Sequence, residues 1–389
     1  MPVSWDEARA TVHSAATPLP AVDLPLEQAD GATLAGPLVT LTSLPAFDTS
    51  SVDGYAVRGL APWRLTGRVL AGGVPQGPVE PGTAVEIATG AMVPHGTEHV
   101  LRIERTKRDG DLIIADLPDK PDWRLAGEEA QAGTELLPAG AVVTPGLIGL
   151  AAACGYDTLP VRRRPRIEMR VFGDELLRSG PPSRGRVRDS LGPSMPAWLR
   201  RLGAEAGEPT MVADTLDAHV RAIKEAAEHS DVVITTGGTM HGPVDHLHPA
   251  LRTLDAEYVV DTVAVRPGFP MLAARLPGGR WVLGLPGNPQ SATIALVTLG
   301  VPLLAGLVGA ALPALPRVSL AVDVPGRGDF THLALARLGV DGAEILPHAG
   351  SAMLRGVASA DGFVVVRPGE SAVAGGQADL APLPLRTRG

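Results

Sequence analysis

The chain has 389 residues, 45% of them hydrophobic but only 3% aromatic, and a formal net charge of −8. That length exceeds what a single core sustains, so several domains packed with Ala, Val and Leu are expected, and the acidic balance argues against a broad nucleic-acid surface. The one cysteine, Cys154, excludes an intrachain disulfide framework and sits in an apolar run as a buried thiol.

Forty-six glycines and 37 prolines spread along the chain imply many turns and short strands. Residues 1–6 carry no basic segment leading into an apolar run. The most apolar stretch, residues 294–311, is interrupted by Gly300 and Pro302 and suits a core helix better than a membrane span. A cytoplasmic protein with no membrane segment is expected.

In chain order, residues 4–16 read as a helix with Ser4 as N-cap and Glu7 in capping-box position. Short β-like runs then alternate with Gly/Pro turns: 63–70, 84–87, 99–104 and 112–115. Residues 136–160 suggest a strand and a short helix. From 163 to 306 strands alternate with helices, which implies a mostly parallel sheet. Its strands are 166–172, 231–236, 271–276 and 281–285, and its helices 194–202, one capped by Asp214 with the stripe Leu216, Val220, Ile223 and Ala227, one near 247–254, and one opening at Asn288-Pro289. Strand-like runs return at 318–324, 332–339 and 362–367.

The fold class expected is therefore a multidomain mixture of α/β and β: a linker domain from residues 1–40 and 136–162, a β-rich module over 41–135, a central α/β sandwich domain over 163–306, and a C-terminal β-barrel over 307–389.

Five segments carry candidate chemistry. The apolar strand 231–236 runs into Gly237-Gly238, with Asp245 beyond, and the strand 281–285 runs into Pro286-Gly287-Asn288-Pro289. Both are strand-to-helix loops whose N–H groups suit an anion outside the carboxyl end of a parallel sheet. For the first, a plain tight turn is an equal alternative. Phe47-Asp48 through Asp53-Gly54-Tyr55 forms a polar acidic loop, Thr89-Gly90 places a hydroxyl at a strand end with Glu104 further on, and Gly173-Asp174-Glu175 follows the first α/β strand. Loop carboxylates of this kind suit Mg²⁺ completed by phosphate oxygens, whereas one cysteine and scattered histidines form no zinc set. The arginine cluster of residues 162–188 serves either an anionic ligand or a solvated face.

Together these segments resemble the molybdopterin molybdenumtransferase family, shared with the C-terminal domain of gephyrin. The matching motifs are Phe47-Asp48, Ser50 and Asp53-Gly54-Tyr55-Ala56-Val57; Thr89-Gly90-Ala91 and Pro94; Gly173-Asp174-Glu175-Leu176; Asp189-Ser190; Gly237-Gly238, Gly242 and Asp245; Pro267-Gly268 and Pro270; and Leu285-Pro286-Gly287-Asn288-Pro289. The resemblance implies an L-shaped homodimer that binds adenylylated molybdopterin at the α/β domain, facing the partner's β-module. Molybdate would displace the adenylate as AMP in the presence of Mg²⁺. Carried over by position, Asp53, Glu175 and Asp245 are catalytic and metal-holding. Thr89, Asp189, Ser190, Asp231, Gly237, Gly238, Arg266, Pro286, Gly287, Asn288 and Pro289 bind the cofactor precursor. A molybdopterin adenylyltransferase and molybdoenzymes are the partners it implies.

Several positions depart from the family pattern: Val171-Phe172 for Ser-Thr, Leu191 for Asn, Met240 for Ser, Phe269 for Lys, and Thr49 for Asn. They leave open a divergent paralogue that binds pterin or nucleotide without efficient metal insertion, or a gephyrin-like scaffold.

Overall fold

The computed structural model describes residues 2–120, 122–240 and 245–384. The chain divides into two compact units, one built from Asp23–Asp30 and Gly36–Pro160, the other from Met1–Val22, Gly31–Ala35 and Val161–Gly389.

The smaller unit is organised by a six-stranded sheet in the order His99–Arg102, Gly54–Val57, Thr83–Ile87, Trp63–Val69, Leu112–Ile114, Lys107–Asp109. Alternation along its strands supplies two faces. Tyr55, Val57, Trp63, Leu101 and Ile113 pack on one, and Ala56, Val69, Ile87 and Val100 on the other. The strand expected over 99–104 stops at Arg102, and Ile103–Arg105 winds into a 3₁₀ turn that carries Glu104. Thr144 caps the helix Pro145–Ala153 by accepting from the Leu147 N–H. Cys154, which follows that helix, is buried against Leu44 and Ala130, and burial raises its thiol pKa.

The larger unit holds a seven-stranded sheet. Its order is Glu205–Ala206, Arg166–Phe172, Val232–Thr236, Trp281–Leu285, Leu272–Arg275, Glu257–Asp261, with Thr210–Val212 also paired to Arg166–Phe172. The pairs from Glu205–Ala206 through Trp281–Leu285 are parallel, and the last two are antiparallel. The central strand is wholly buried. Val232 and Ile234 join one core with Met195 and Leu199 of the helix Leu191–Arg201 and with Leu296 and Leu303 of the helical run Pro289–Leu307. Val233 joins a second core with Ile223 and Ala226 of the helix Leu216–His229 and Leu247 and Leu251 of the helix Leu247–Thr253. Helices thus cover both faces, as a two-sided apolar strand requires.

Pro289–Leu307 is long and apolar enough to cross a membrane by composition, but 94% of its apolar window is buried inside the protein, as a core helix. The helix Trp5–Ala15 packs on it, and the Trp5 indole N–H donates to Thr298 Oγ1 at 2.9 Å. Ser4 caps that helix as expected, accepting from the Glu7 N–H at 3.3 Å.

The helix Leu216–His229 departs from the sequence expectation. Thr215, not Asp214, is its N-cap, and its buried face is His219, Ala222, Ile223 and Ala226; of the expected stripe Ile223 is buried, Val220 and Ala227 pack against the core half-buried, and Leu216 is exposed. Asp214 is drawn off to accept from the Asp174 N–H at 3.1 Å.

A further sheet runs Val265–Arg266, Thr331–Gly339, Gly362–Val366, Gln377–Pro382, Arg317–Ser319, with Gly342–Ile345 on Thr331–Gly339. Val265–Arg266 lies between two strands of the α/β sheet in sequence, yet pairs in parallel with Thr331 and His332. Both sheets are therefore linked within this unit.

Candidate functional site

At the carboxyl ends of the parallel strands lies a cavity of about 660 Å³. Three of these strands feed it directly: Glu175 and Leu176 follow Arg166–Phe172, Gly237 through Met240 follow Val232–Thr236, and Pro286 through Pro289 follow Trp281–Leu285. Arg188, Asp189 and Ser190 close one side, and Asp245 and Leu354 also line it. This is the edge where open α/β sheets bind ligands.

The loop after the central strand can pass close to a ligand because Gly237 (φ 87) and Gly238 (φ 66) take left-handed conformations open to glycine. The Gly237 N–H is tied to the Leu285 carbonyl at 3.0 Å, which joins the two strand ends. Behind Gly238 the fully buried His219 stacks on Phe172, ring centroids 3.6 Å apart. His219 Nδ1 is 2.9 Å from the Thr215 carbonyl, and Nε2 has no hydrogen-bond partner among the described residues. Burial pushes the His219 pKa down.

Gly173 has φ 136, and a Cβ there would lie 2.8 Å from Glu175 Oε2. Glycine is what lets the exposed Glu175 carboxylate fold back over the loop. Asp189 Oδ1 accepts from the N–H groups of Leu191 and Gly192, both at 3.0 Å, so it lines the cavity and also holds the start of a helix.

A second cavity of about 660 Å³ adjoins the first, sharing Pro270, Pro286 and Asn288. Arg266, Phe269, Ser291, Arg327, Phe330 and His332 line it, and no acidic side chain does among the described residues. Met240 and Phe269, two departures from the family pattern, thus fall in different cavities.

Two expectations are corrected. Asp231 does not join the cavity. It precedes the central strand, at the opposite edge of the sheet, and its carboxylate is taken by Arg163 at 2.7 Å to each oxygen, by Arg280 at 3.0 Å and by the Arg166 N–H at 2.9 Å. The first turn of the helix Pro289–Ala295 is not open to an anion. Its Gln290 and Ser291 N–H groups both donate to the Ser351 carbonyl, at 3.0 and 3.3 Å, and Asn288 makes no side-chain cap bond.

Asp53 and Thr89 lie in the other unit, where the structure pairs them. The Thr89 N–H and Oγ1 donate to Asp53 Oδ1 at 2.7 and 3.1 Å. Asp48 Oδ1 accepts from the Ala126 N–H at 2.7 Å. The arginine cluster is dispersed: Arg163 binds Asp231, Arg170 binds Glu168 at 2.7 Å, and of the cluster only Arg188 reaches the first cavity. Sequence reasoning missed Phe330, Arg327, His332 and Ser351, since nothing local marks a strand-start Phe or a loop carbonyl as part of a site.

Among the described residues no group of three or more His, Cys, Asp or Glu side chains is placed to hold a metal ion. Three carboxylates line the first cavity, Glu175, Asp189 and Asp245, and Asp189 already accepts from the Leu191 and Gly192 N–H groups. That set fits Mg²⁺ arriving with phosphate oxygens, which needs only one or two protein carboxylates.

Three family models match in order: MoeA N-terminal region (domain I and II) over residues 3–155, probable molybdopterin binding domain over 168–306, and MoeA C-terminal region (domain IV) over 317–383. The molybdopterin molybdenumtransferase of Staphylococcus aureus (strain Mu50) is 31% identical over 363 residues, covering 89% of this chain and 86% of its own. The chain belongs to the molybdopterin molybdenumtransferase family. A Staphylococcus epidermidis molybdenumtransferase is 28% identical over the same share of both chains. A molybdopterin biosynthesis MoeA structure from Pyrococcus horikoshii superposes with a TM-score of 0.82 at 25% identity, covering 99% of this chain and all of that one. A second, from strain OT3, reaches 0.83 at 21% identity and speaks for the fold alone. Of the α/β residues that the resemblance singled out, Glu175, Asp189, Ser190, Gly237, Gly238, Asp245 and Pro286–Pro289 line the first cavity, Arg266, Pro267 and Gly268 line the second, Asp231 lines neither, and Gly242 lies outside the described residues.

Proposed function

We propose that this molybdenumtransferase-family chain inserts molybdate into adenylylated molybdopterin and releases AMP. One observation carries the reading: Glu175, Asp189, Ser190, Gly237, Gly238, Asp245 and Pro286–Pro289, far apart in sequence, share a single cavity at the carboxyl edge of the sheet. Arg188 and the close backbone approach that Gly237 and Gly238 allow suit the phosphates, and the apolar walls of Leu176, Val187 and Leu191 suit a planar ring. The adjoining cavity, with Arg266 and Arg327 and no lining carboxylate, receives the oxyanion. Glu175 and Asp245 would hold Mg²⁺ against the phosphates, where the ion supplies charge neutralisation.

On the same reading, and as the family resemblance implies, Asp53 with its Thr89 clamp serves the cavity of a second copy in a C₂ homodimer. The residue ranges given above for linker, β-module, α/β and C-terminal barrel domains are the working domain assignment. Cytoplasmic action, with an adenylyltransferase supplying the substrate and molybdoenzymes receiving the product, completes the reading. The test is AMP release from adenylylated molybdopterin by the purified chain with Mg²⁺. Release that depends on added molybdate is expected, and its absence in wild type would overturn the assignment.

A further inference from the structure

The second cavity is where this chain has Phe269 in place of the family's lysine, and there two aromatic rings lie beside a cation. The Arg266 guanidinium carbon lies 4.5 Å from the Phe330 ring centroid and 5.5 Å from that of Phe269. The rings meet edge to face at 6.0 Å and 75°. The rings flank a guanidinium that stays exposed, and the fold builds this clamp: Arg266 is the register partner of His332, two residues past Phe330, and Phe269 follows Arg266 by three. Around it, Arg327 supplies a second positive charge, and His332 Nδ1 lies 2.8 Å from the Pro325 carbonyl. Burial lowers the His332 pKa against the Pro325 carbonyl bond, which raises it, and Arg327 lowers it further.

A guanidinium on a flexible stem loses rotamer freedom when it binds an anion. Held against aromatic faces, it has lost that freedom already. The rings also limit the water that can remain beside a bound anion. Exclusion of water costs more for a small, strongly hydrated oxyanion than for a large, weakly hydrated one. A lysine at this position would attract both alike.

We propose that Phe269 and Phe330 determine oxyanion specificity by fixing Arg266 and walling the cavity, so that molybdate is favoured over the smaller and more strongly hydrated sulfate. The inference rests on the reading of function above, and assigns to Phe330 a positioning role.

The full-length chain, without pterin, is titrated calorimetrically with sodium molybdate and separately with sodium sulfate at fixed ionic strength. Wild type is expected to bind molybdate more tightly. Phe330→Leu should weaken molybdate binding about three- to thirtyfold, the range of a cation–π contact, and bring the molybdate-to-sulfate ratio toward one. Phe330→Tyr should restore the ratio, which a loss of general packing would not explain. Phe269→Leu should act in the same direction and carries the test if Phe330→Leu fails to fold. Equal wild-type affinity for the two anions, or an unchanged ratio in the folded Leu variants, overturns the proposal. Molybdate-dependent AMP release with unchanged ratios would refute the clamp and leave the functional reading standing. Intact discrimination in a chain that releases no AMP would refute the functional reading and leave the clamp.

Discussion

Asp231→Asn separates fold from function. The side chain is 4% exposed and gathers Arg163, Arg280 and the Arg166 N–H at the sheet edge away from the cavity. The amide keeps the shape but turns an NH₂ group toward a guanidinium and leaves two cations without their counter-charge. Breaking a buried pair this way costs about 3–5 kcal/mol. Here the Arg163 and Arg280 side chains are 28% and 44% exposed, so solvent takes up part of the loss and about 2–3 kcal/mol remains. At roughly 2–4 °C per kcal/mol for a unit of this size, the thermal midpoint should fall by about 4–12 °C. Burial alone would raise the Asp231 pKa, but the Arg163 and Arg166 hydrogen bonds and the charges of Arg163 and Arg280 outweigh it and hold the value below the ordinary one. Its stabilisation is therefore fully present above the unfolded value of about 3.9 and is lost as pH falls through the folded value. Thermal melts at pH 7 and at strongly acidic pH, with ligand binding at pH 7, check this. The gap between variant and wild type should be wide at pH 7 and close in acid, with affinity for the adenylylated pterin retained. A variant that melts like wild type but no longer binds would make Asp231 a ligand contact and refute the reasoning.

Gly173→Ala should strain a backbone at φ 136 by about 1–3 kcal/mol and push aside the Glu175 carboxylate, so that kcat for AMP release falls more than KM changes. An unaltered kcat would show that the placement of Glu175 is immaterial. His219 has a folded pKa lowered by burial, so the unfolded chain takes up its proton first and stability drains away as pH falls below about 6.5. His219→Phe should flatten the decline of the melting midpoint between pH 7.5 and 5.5, with His332 supplying what slope remains. Parallel wild-type and variant slopes would contradict this. Calorimetry with Mg²⁺ should give no tight isotherm for the chain alone and a clear one once AMP is present, because Glu175 and Asp245 alone do not complete the shell. A tight isotherm without nucleotide would count against the assigned metal role.

Strands buried on both faces were the most legible part of the fold. Arg166–Phe172 and Trp281–Leu285 occupy the residues expected of them: the first alternates Ile167, Met169 and Val171 with polar residues, and the second is a continuous apolar run that ends at Pro286-Gly287. Gln377–Pro382 was missed because its apolar content is thin and a proline ends it. In the helix Leu216–His229 the expected stripe was offset because His219 is a core residue there, and no local pattern identifies a buried histidine. The N-cap moved from Asp214 to Thr215 through a competing partner, Asp174, 40 residues away. The same limit governed the site. The cavity follows from loops that each leave a strand end, which sequence marks with Gly and Pro. The helix start at Asn288 looked open only because the Ser351 carbonyl that occupies it comes from a loop distant in sequence, between Gly342–Ile345 and Gly362–Val366. The Arg266 clamp needs Phe330, brought in by a strand pairing far from it in sequence.

The most direct test of the account measures two products in one sample. Adenylylated molybdopterin, molybdate and Mg²⁺ are incubated with the chain, and AMP released and molybdenum retained on the pterin dithiolene are quantified together. The account predicts equal molar amounts of both, rising together with molybdate and abolished by Glu175→Gln but not by Asp231→Asn at a temperature where that variant is folded. AMP released without molybdenum on the pterin, or activity lost only in Asp231→Asn, would contradict it.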